Sequence, residues 1–397
     1  MGTPAKRIVI SGYYGFKNSG DEAVLQSILI ALAAESVKQG ITIEPIVLSI
    51  DPEWTARTYG VQAMHRMKLG QVLKAIRQSD GLISGGGSLL QDTTGRMSIP
   101  YYLGIIKLAQ WLRKPTFIYA QGIGPVNRTT FHPFIRSIFR KCRYISVRDE
   151  ESSQLLKQIG LSRDKIDLVP DPVMGLPLQP ANELQTEQSI AHKISAEQSI
   201  ANKPLAAEQN VAIGSGKPVI GISVRFWKED RSELAQLAKS LEIIQAERDV
   251  HLYFLPFHLP HDVEASQEVI RQLPASTNLS IATGLDHPQH MLAEVQACDL
   301  LIGMRLHALI YAASQRVPML GISYDPKIDQ FLQRLDLKAA ATTEQFNPNE
   351  LAATALSLLT DNGKADWIAS KQAHIVKLQA EAHRPAQQIV NYLVYKG

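Results

Sequence analysis

Short apolar runs that stop at glycines or polar residues, each followed by a longer stretch of helical spacing, recur along the chain and restrict its fold more than any other feature. A continuously apolar strand must be covered on both faces, and a helix returning over the sheet after each strand provides that cover. "RIVISGYYG", "IEPIVLSI", "GLISGGG", "PTFIYAQGIG" and "CRYISVRDE" are such runs in the first half, and "VIGISVR", "VHLYFLPF", "DLLIGM" and "VPMLGISY" restart the rhythm in the second. The expectation is an α/β fold built from two doubly wound, Rossmann-like parallel sheets. A length of 397 residues agrees, because one hydrophobic core stops growing well before that size. In such sheets ligands bind beyond the carboxyl ends of the strands, where the glycines and polar residues collect here.

The division expected is a first domain over 1–176, a polar connector over 177–217, a second domain over 218–365 and a terminal helical segment over 366–397, interrupted near Pro385. Within the connector "EQSIAHK" returns ten residues later as "EQSIANK", which reads as a solvated insertion without a catalytic role. Two such domains facing each other across a cleft resemble the GT-B architecture, in which a terminal segment often crosses back to the first domain. Forty-one Lys+Arg against 38 Asp+Glu leave a net charge of +3, too balanced for a nucleic-acid binder. Two cysteines, Cys142 and Cys298, make neither a disulfide framework nor a thiolate cluster, and no metal-ligand spacing occurs. No leader opens the chain, and no apolar run approaches the 18 or so residues a membrane span needs, so a cytoplasmic location is expected.

Four stretches carry chemistry-bearing residues. "GYYGFKNSGDEAV" is a glycine-bounded loop entering a helix, with Asn18 and Asp21 near the helix start; it suits an anion at the helix N-terminus, or a structural turn with a capping acid. "SGGGSLLQD" offers Gly87, Ser88, Gln91 and Asp92 after a strand, either for close approach of a sugar or for tight strand-to-helix packing. "SVRDEES" puts Arg148 at a strand end among acids, where a surface ion pair is the usual explanation. "GMRLHALIYAASQRVPMLGISYDPKI" gathers Arg305, Leu306, His307 and Lys327 around one helix and the strand after it. On a helix beginning near Gly303, residues 305 and 307 do not share a face, so they converge only in an irregular turn or on a ligand at the helix end. Three cation-capable side chains imply an anionic substrate, although a packed core histidine remains the alternative for His307.

"GYYGFKNSGDEAVL", "GGGSLLQDTTG", "AQGIGPV", "SVRDEES", "DPV", "RLHAL" and "GISYDPKI" stand in the order found in polysaccharide pyruvyl transferases, and the chain resembles that family, most of all its CsaB type, from about residue 7 to 330. The resemblance implies phosphoenolpyruvate as co-substrate, no cofactor or metal, and a ketal-pyruvate formed on a sugar of a cell-wall polymer precursor of the kind that anchors surface layers. It implies donor binding by Arg148, Arg305, Leu306, His307 and Lys327, with His307 as general acid, and acceptor binding by Asn18, Asp21, Gly87, Ser88 and Gln91. Asp21 and Asp92 both remain open as the base. The acceptor implied is a lipid-diphosphate-linked amino-sugar oligosaccharide, which requires transient contact with the inner face of the membrane. A GT-B nucleotide-sugar glycosyltransferase and a non-catalytic sugar-phosphate-binding protein are the alternatives.

Overall fold

The computed structural model describes residues 5–93, 95, 97–179, 216–285 and 287–395; the connector's repeated heptapeptide lies outside them. Two compact units form, one from Met1–Leu176 with Gln333–Leu335 and Ala373–Gly397, the other from Pro177–Leu332 with Asp336–Gln372.

The first unit is a parallel sheet of β1 (Ala5–Tyr14), β2 (Thr42–Ser49), β3 (Gln62–His65), β4 (Gly81–Ser84), β5 (Gly87–Leu90), β6 (Thr116–Ile123), β7 (Tyr144–Val147) and β8 (Asp167–Leu168). Their order is β3-β2-β1-β4-β6-β7-β8, with β5 paired to β6. Central β1 buries Ile8, Val9 and Ile10 completely, which is why it reads as unbroken apolar sequence. From β1 the chain winds outward to β3, then returns to β4 and winds the other way, so the loops after β1 and β4 diverge and leave a crevice.

The triple glycine serves mainly packing. A β-carbon on Gly86 would lie 2.6 Å from Val24, and one on Gly85 would lie 2.3 Å from the Tyr14 hydroxyl. The close fit lets the end of β4 press against the Ser19–Lys38 helix. Gly87, at φ +92°, then restarts the strand as β5. The sequence reading placed these residues after a strand without a further strand of their own; the structure makes Gly87–Leu90 a strand paired in parallel with β6.

The second unit repeats the plan with β9 (Val219–Ser223), β10 (His251–Phe254), β11 (Leu279–Ile281), β12 (Leu300–Gly303), β13 (Met319–Ser323) and β14 (Ala341–Thr342), in the order β11-β10-β9-β12-β13-β14. Its reversal falls between β9 and β12. The strands absent from the sequence reading, β3, β8, β11 and β14, are short and all stand at sheet edges; β5 is the internal exception. With one neighbour and half-exposed side chains, an edge strand needs no apolar run and leaves none in the sequence.

The long Asp361–Ala382 helix belongs to the second unit up to Gln372 and to the first from Ala373. The following Arg384–Tyr395 helix packs on the first unit: Tyr392 meets Phe117 with ring centroids 5.4 Å apart, and Arg384 pairs with Asp167 at 3.0 Å. The helix break lies at His383, and Pro385 sits in the first turn of the new helix, where its missing N–H leaves no bond unmade.

Gly86→Ala should therefore lower stability by about 1–3 kcal/mol in chemical denaturation, the usual range for overpacking. Gly40, with no described atom within 4 Å of its built β-carbon but a φ of +65°, should lose about 1–2 kcal/mol on the same change from backbone strain alone.

Candidate functional site

In the first unit the crevice after β1 and β4 gathers Asp21, Gly87, Ser88, Arg148 and Asp171. Arg148 leaves the end of β7 with its side chain almost entirely buried, forms a short ion pair with Asp171 and donates from Nη2 to Ser88 Oγ at 2.9 Å. The sequence left two readings of Arg148, a surface ion pair with neighbouring acids and, by the resemblance, a donor ligand; the surface pair does not form. Instead Asp149 caps the helix Glu150–Gln158, and the partner is Asp171, just after β8. Burial works against the Arg148 charge, but Asp171, Asp149 and Asp21 outweigh it and keep the guanidinium firmly protonated. Its Nε is buried, with no hydrogen-bond partner among the described residues.

Asp21 lies beside this pair, its Oδ1 2.8 Å from where a β-carbon on Gly87 would stand, so glycine at 87 is what admits the carboxylate. Burial raises the Asp21 carboxyl to about 7; Arg148 and Arg66 pull it back and Asp171 pushes it further up. Burial likewise lifts Glu22 to about 7, against the pull of the Gly15 amide and Tyr59 hydroxyl bonded to it. Glu22 holds the loop, whereas Asp21 faces the crevice.

Asn18 and Gln91, expected on the acceptor, and Asp92, the second candidate base, each bond to nearby backbone. Asn18 Oδ1 caps its helix by accepting from the Gly20 amide at 3.1 Å. Gln91 accepts from the amide and hydroxyl of Thr93 at 2.8 and 2.6 Å. Asp92 accepts from the amides of Asn127 and Arg128 at 2.9 and 2.8 Å, bonds that hold its carboxyl below the usual range despite an opposing desolvation effect. Sequence reasoning missed Arg66, a buried cation that donates to the Gly12 carbonyl at 2.8 Å and to Tyr102 at 3.1 Å. It follows a short edge strand that leaves no sequence signal.

In the second unit the helix carrying the histidine spans Leu306–Ser314, not from Gly303 as its sequence suggested. Gly303 completes β12, so Arg305 becomes the residue before the helix, and Leu306 and His307 open its first turn, all three half-buried. The side chains therefore need no common helix face; they surround the helix N-terminus. Arg305 donates from Nε to Asp262 at 3.0 Å and forms a second, short bond to the other carboxylate oxygen. Asp262 is fully buried and also accepts from the amides of Phe257 and His258 at 3.1 and 2.9 Å. A two-point grip fixes the guanidinium plane.

Across the β9/β12 reversal stands Arg225, which donates to the Tyr324 hydroxyl at 2.9 Å and lies 4.7 Å from that ring's centroid. Burial first, then Arg305 and Arg225, hold His258 below the usual histidine range, with Asp262 opposing. Arg225, His258 and Arg305 thus form one electropositive cluster at the carboxyl ends of β9, β10 and β12. Lys327 sits in the first turn of the Pro326–Arg334 helix, its amide bonded to Asp325 at 2.9 Å. Arg225 and Asp262 also escaped sequence reasoning, although "SVR" ends a strand in both halves, at Arg148 and at Arg225.

Asp21 should report on folding. Its carboxyl ionises near 4 when unfolded and near 7 when folded. The penalty is absent below the unfolded value, grows as pH rises, and is complete above about 7. Asp21→Asn should be more stable than the parent at pH 8, with the difference shrinking by at most about 1.4 kcal/mol per unit as pH falls toward 5, measured by denaturant midpoints.

The family model described as polysaccharide pyruvyl transferase matches residues 18–326. The amylovoran biosynthesis protein AmsJ of Erwinia amylovora is 20% identical over 288 residues, covering 70% of this chain and 64% of that protein, so the chain spans under two thirds of this relative's length. Among solved structures, the UDP-GlcNAc 2-epimerase from Neisseria meningitidis bound to UDP-GlcNAc superposes with a TM-score of 0.61 at 14% identity, covering 99% of this chain and 100% of that one. The Anabaena protein HepE in complex with UDP-glucose gives 0.57 at 13% identity, covering 98% of each chain. These likenesses describe the fold, which is of the GT-B type. A match over most of its length, around two sheets whose strand ends carry the matched motifs, makes this chain a member of the polysaccharide pyruvyl transferase family.

Proposed function

We propose that this protein transfers the pyruvyl group of phosphoenolpyruvate to a sugar of a surface-polysaccharide precursor, forming a ketal and releasing phosphate. The observation that carries the reading is the cluster of Arg225, His258 and Arg305 at the reversal of the second sheet. The donor bears a phosphate and a carboxylate in a few atoms, so it needs compact, fixed cations. Arg305, locked by Asp262, and Arg225 meet that need, and Lys327, in the first turn of the Pro326–Arg334 helix, adds charge.

Each step then has a residue suited to it. A sugar hydroxyl adds to C2 of the donor and loses its proton to Asp21, whose carboxyl near 7 makes it a stronger base than Asp92, held by two amides. The double-bond electrons take up a proton at C3, which His307 supplies. The C2–O bond to phosphate breaks, and a second hydroxyl closes the ketal as it loses its own proton. Atoms and electrons balance without a further cofactor. Ser88 and Gly87 flank the acceptor, which we take to be a lipid-diphosphate-linked amino-sugar oligosaccharide met at the inner face of the membrane.

The fold's likeness to proteins solved with UDP-sugars keeps a nucleotide-sugar transferase as the second reading. That donor calls for a carboxylate at the end of a second-unit strand to grip the ribose. The two carboxylates after β13 are already engaged, Asp325 by the Lys327 amide and Asp329 by the Ser323 hydroxyl at 2.6 Å, which favours phosphoenolpyruvate.

Two measurements separate these readings. At a hundredfold excess over its Kd, phosphoenolpyruvate should stabilise the fold by about 2.7 kcal/mol, and UDP-sugars should not; a thermal shift with UDP-glucose alone would reverse the ranking. In kinetics, His307→Gln should lower kcat by roughly 10²- to 10⁴-fold with little change in donor affinity, while Arg305→Lys should mainly raise KM, because a point charge cannot replace a fork.

A further inference from the structure

We infer that the rim of the first-unit crevice is a docking surface for an anionic lipid bilayer. The centre of this rim is Arg66. It lies 5.8 Å from the ring centroid of Tyr13, 5.5 Å from that of Phe16 and 4.5 Å from that of Tyr101. Tyr101 also donates to the Arg66 carbonyl at 3.0 Å, and its amide bonds the carbonyl of Met97 one helical turn back. These contacts bring three separate segments to one edge: the loop after β1, the turn after β3 and the start of the Ser98–Trp111 helix.

Each segment presents apolar side chains to solvent. Met67 is 64% exposed, Leu69 69% and Met97 71%, while Tyr13 and Phe16, stacked 3.9 Å apart, are each 40% exposed. Lone exposed apolar residues are ordinary, but five around one buried arginine make a patch, and patches mark interaction surfaces.

Charge selects the occupant. Lys17 and Lys68 stand exposed within the patch, and among the described residues neither has an ion-pair partner. Of the carboxylates near it, Glu22 is buried, Asp92 is held by loop amides, and Asp21 faces the crevice that the patch borders. Unbranched apolar chains, an aromatic pair with one hydroxyl and uncompensated lysines match the boundary between acyl chains and anionic headgroups. No helix among the described residues is long and apolar enough to cross a membrane, so contact through this patch is peripheral. The patch borders Asp21, whose charge Tyr13 feels. Resting on the proposed reading, this would present the crevice to an acceptor held by its lipid.

The test is sedimentation with vesicles of phosphatidylcholine alone and of phosphatidylcholine with phosphatidylglycerol in roughly a two-to-one ratio. The full chain should partition into the anionic vesicles, less so at high salt. The triple variant Met67→Ser, Leu69→Ser, Met97→Ser should lose roughly tenfold or more of that partition, and Lys17→Glu with Lys68→Glu about fivefold or more per site. Circular dichroism checks that each variant is folded. Partition of the triple variant equal to the parent's, or no parent binding to anionic vesicles, overturns the proposal. So does a parent dimer that the triple variant dissolves, which would assign the patch to a second copy. Vesicle binding is read without turnover, so failure of pyruvyl transfer leaves this result standing.

Discussion

A guanidinium taken out of water needs partners that replace its hydration, and at one place in each unit that partner is a carboxylate. Arg148 reaches into the first crevice only because Asp171 meets it there; Arg305 stands at the second only because Asp262, buried and bonded by two amides, holds it. Each pair sits beyond the carboxyl ends of a parallel sheet, near the point where strand order reverses. Removing either carboxylate would leave a charge without its partner and cost about 3–5 kcal/mol, so these acids are as much part of the site as the arginines they hold.

The two pairs condition their surroundings differently. Three carboxylates surround Arg148: Asp171 takes the guanidinium, Asp149 caps the following helix, and Asp21 is left in a desolvated place with its carboxyl near 7. Around Arg305 cations outnumber carboxylates, and His258 is pushed toward its neutral form. One unit therefore holds a group that accepts a proton near neutral pH, and the other a cluster that attracts anions.

Much of this was readable in the sequence, and what escaped has physical causes. The central strands announced themselves because burial on two faces demands continuous apolar sequence, and the motifs at their ends marked Asp21, Ser88, Arg148, Arg305 and His307. Edge strands carry no such demand, so β3 and β8 were silent, and with them Arg66 and the position of Asp171 relative to Arg148. Asp262 in "HDVE" looks like any first-turn acid, since nothing local tells a helix-capping carboxylate from one that holds a distant arginine. Arg225 could have been found: the position that singled out Arg148, an arginine closing "SVR" at a strand end, recurs there. The triple glycine was ambiguous between ligand approach and packing, and only side-chain contacts with Tyr14 and Val24 decide it.

The central claim is that a proton is delivered to C3 of phosphoenolpyruvate while a sugar oxygen bonds to C2. Turnover in deuterated water with phosphoenolpyruvate and a panel of amino-sugar acceptors, followed by mass spectrometry and phosphate release, tests it most directly. The account predicts one deuterium in the pyruvyl methyl group and one phosphate released per ketal formed. Product formed from a UDP-sugar, with no phosphate released from phosphoenolpyruvate, would contradict it.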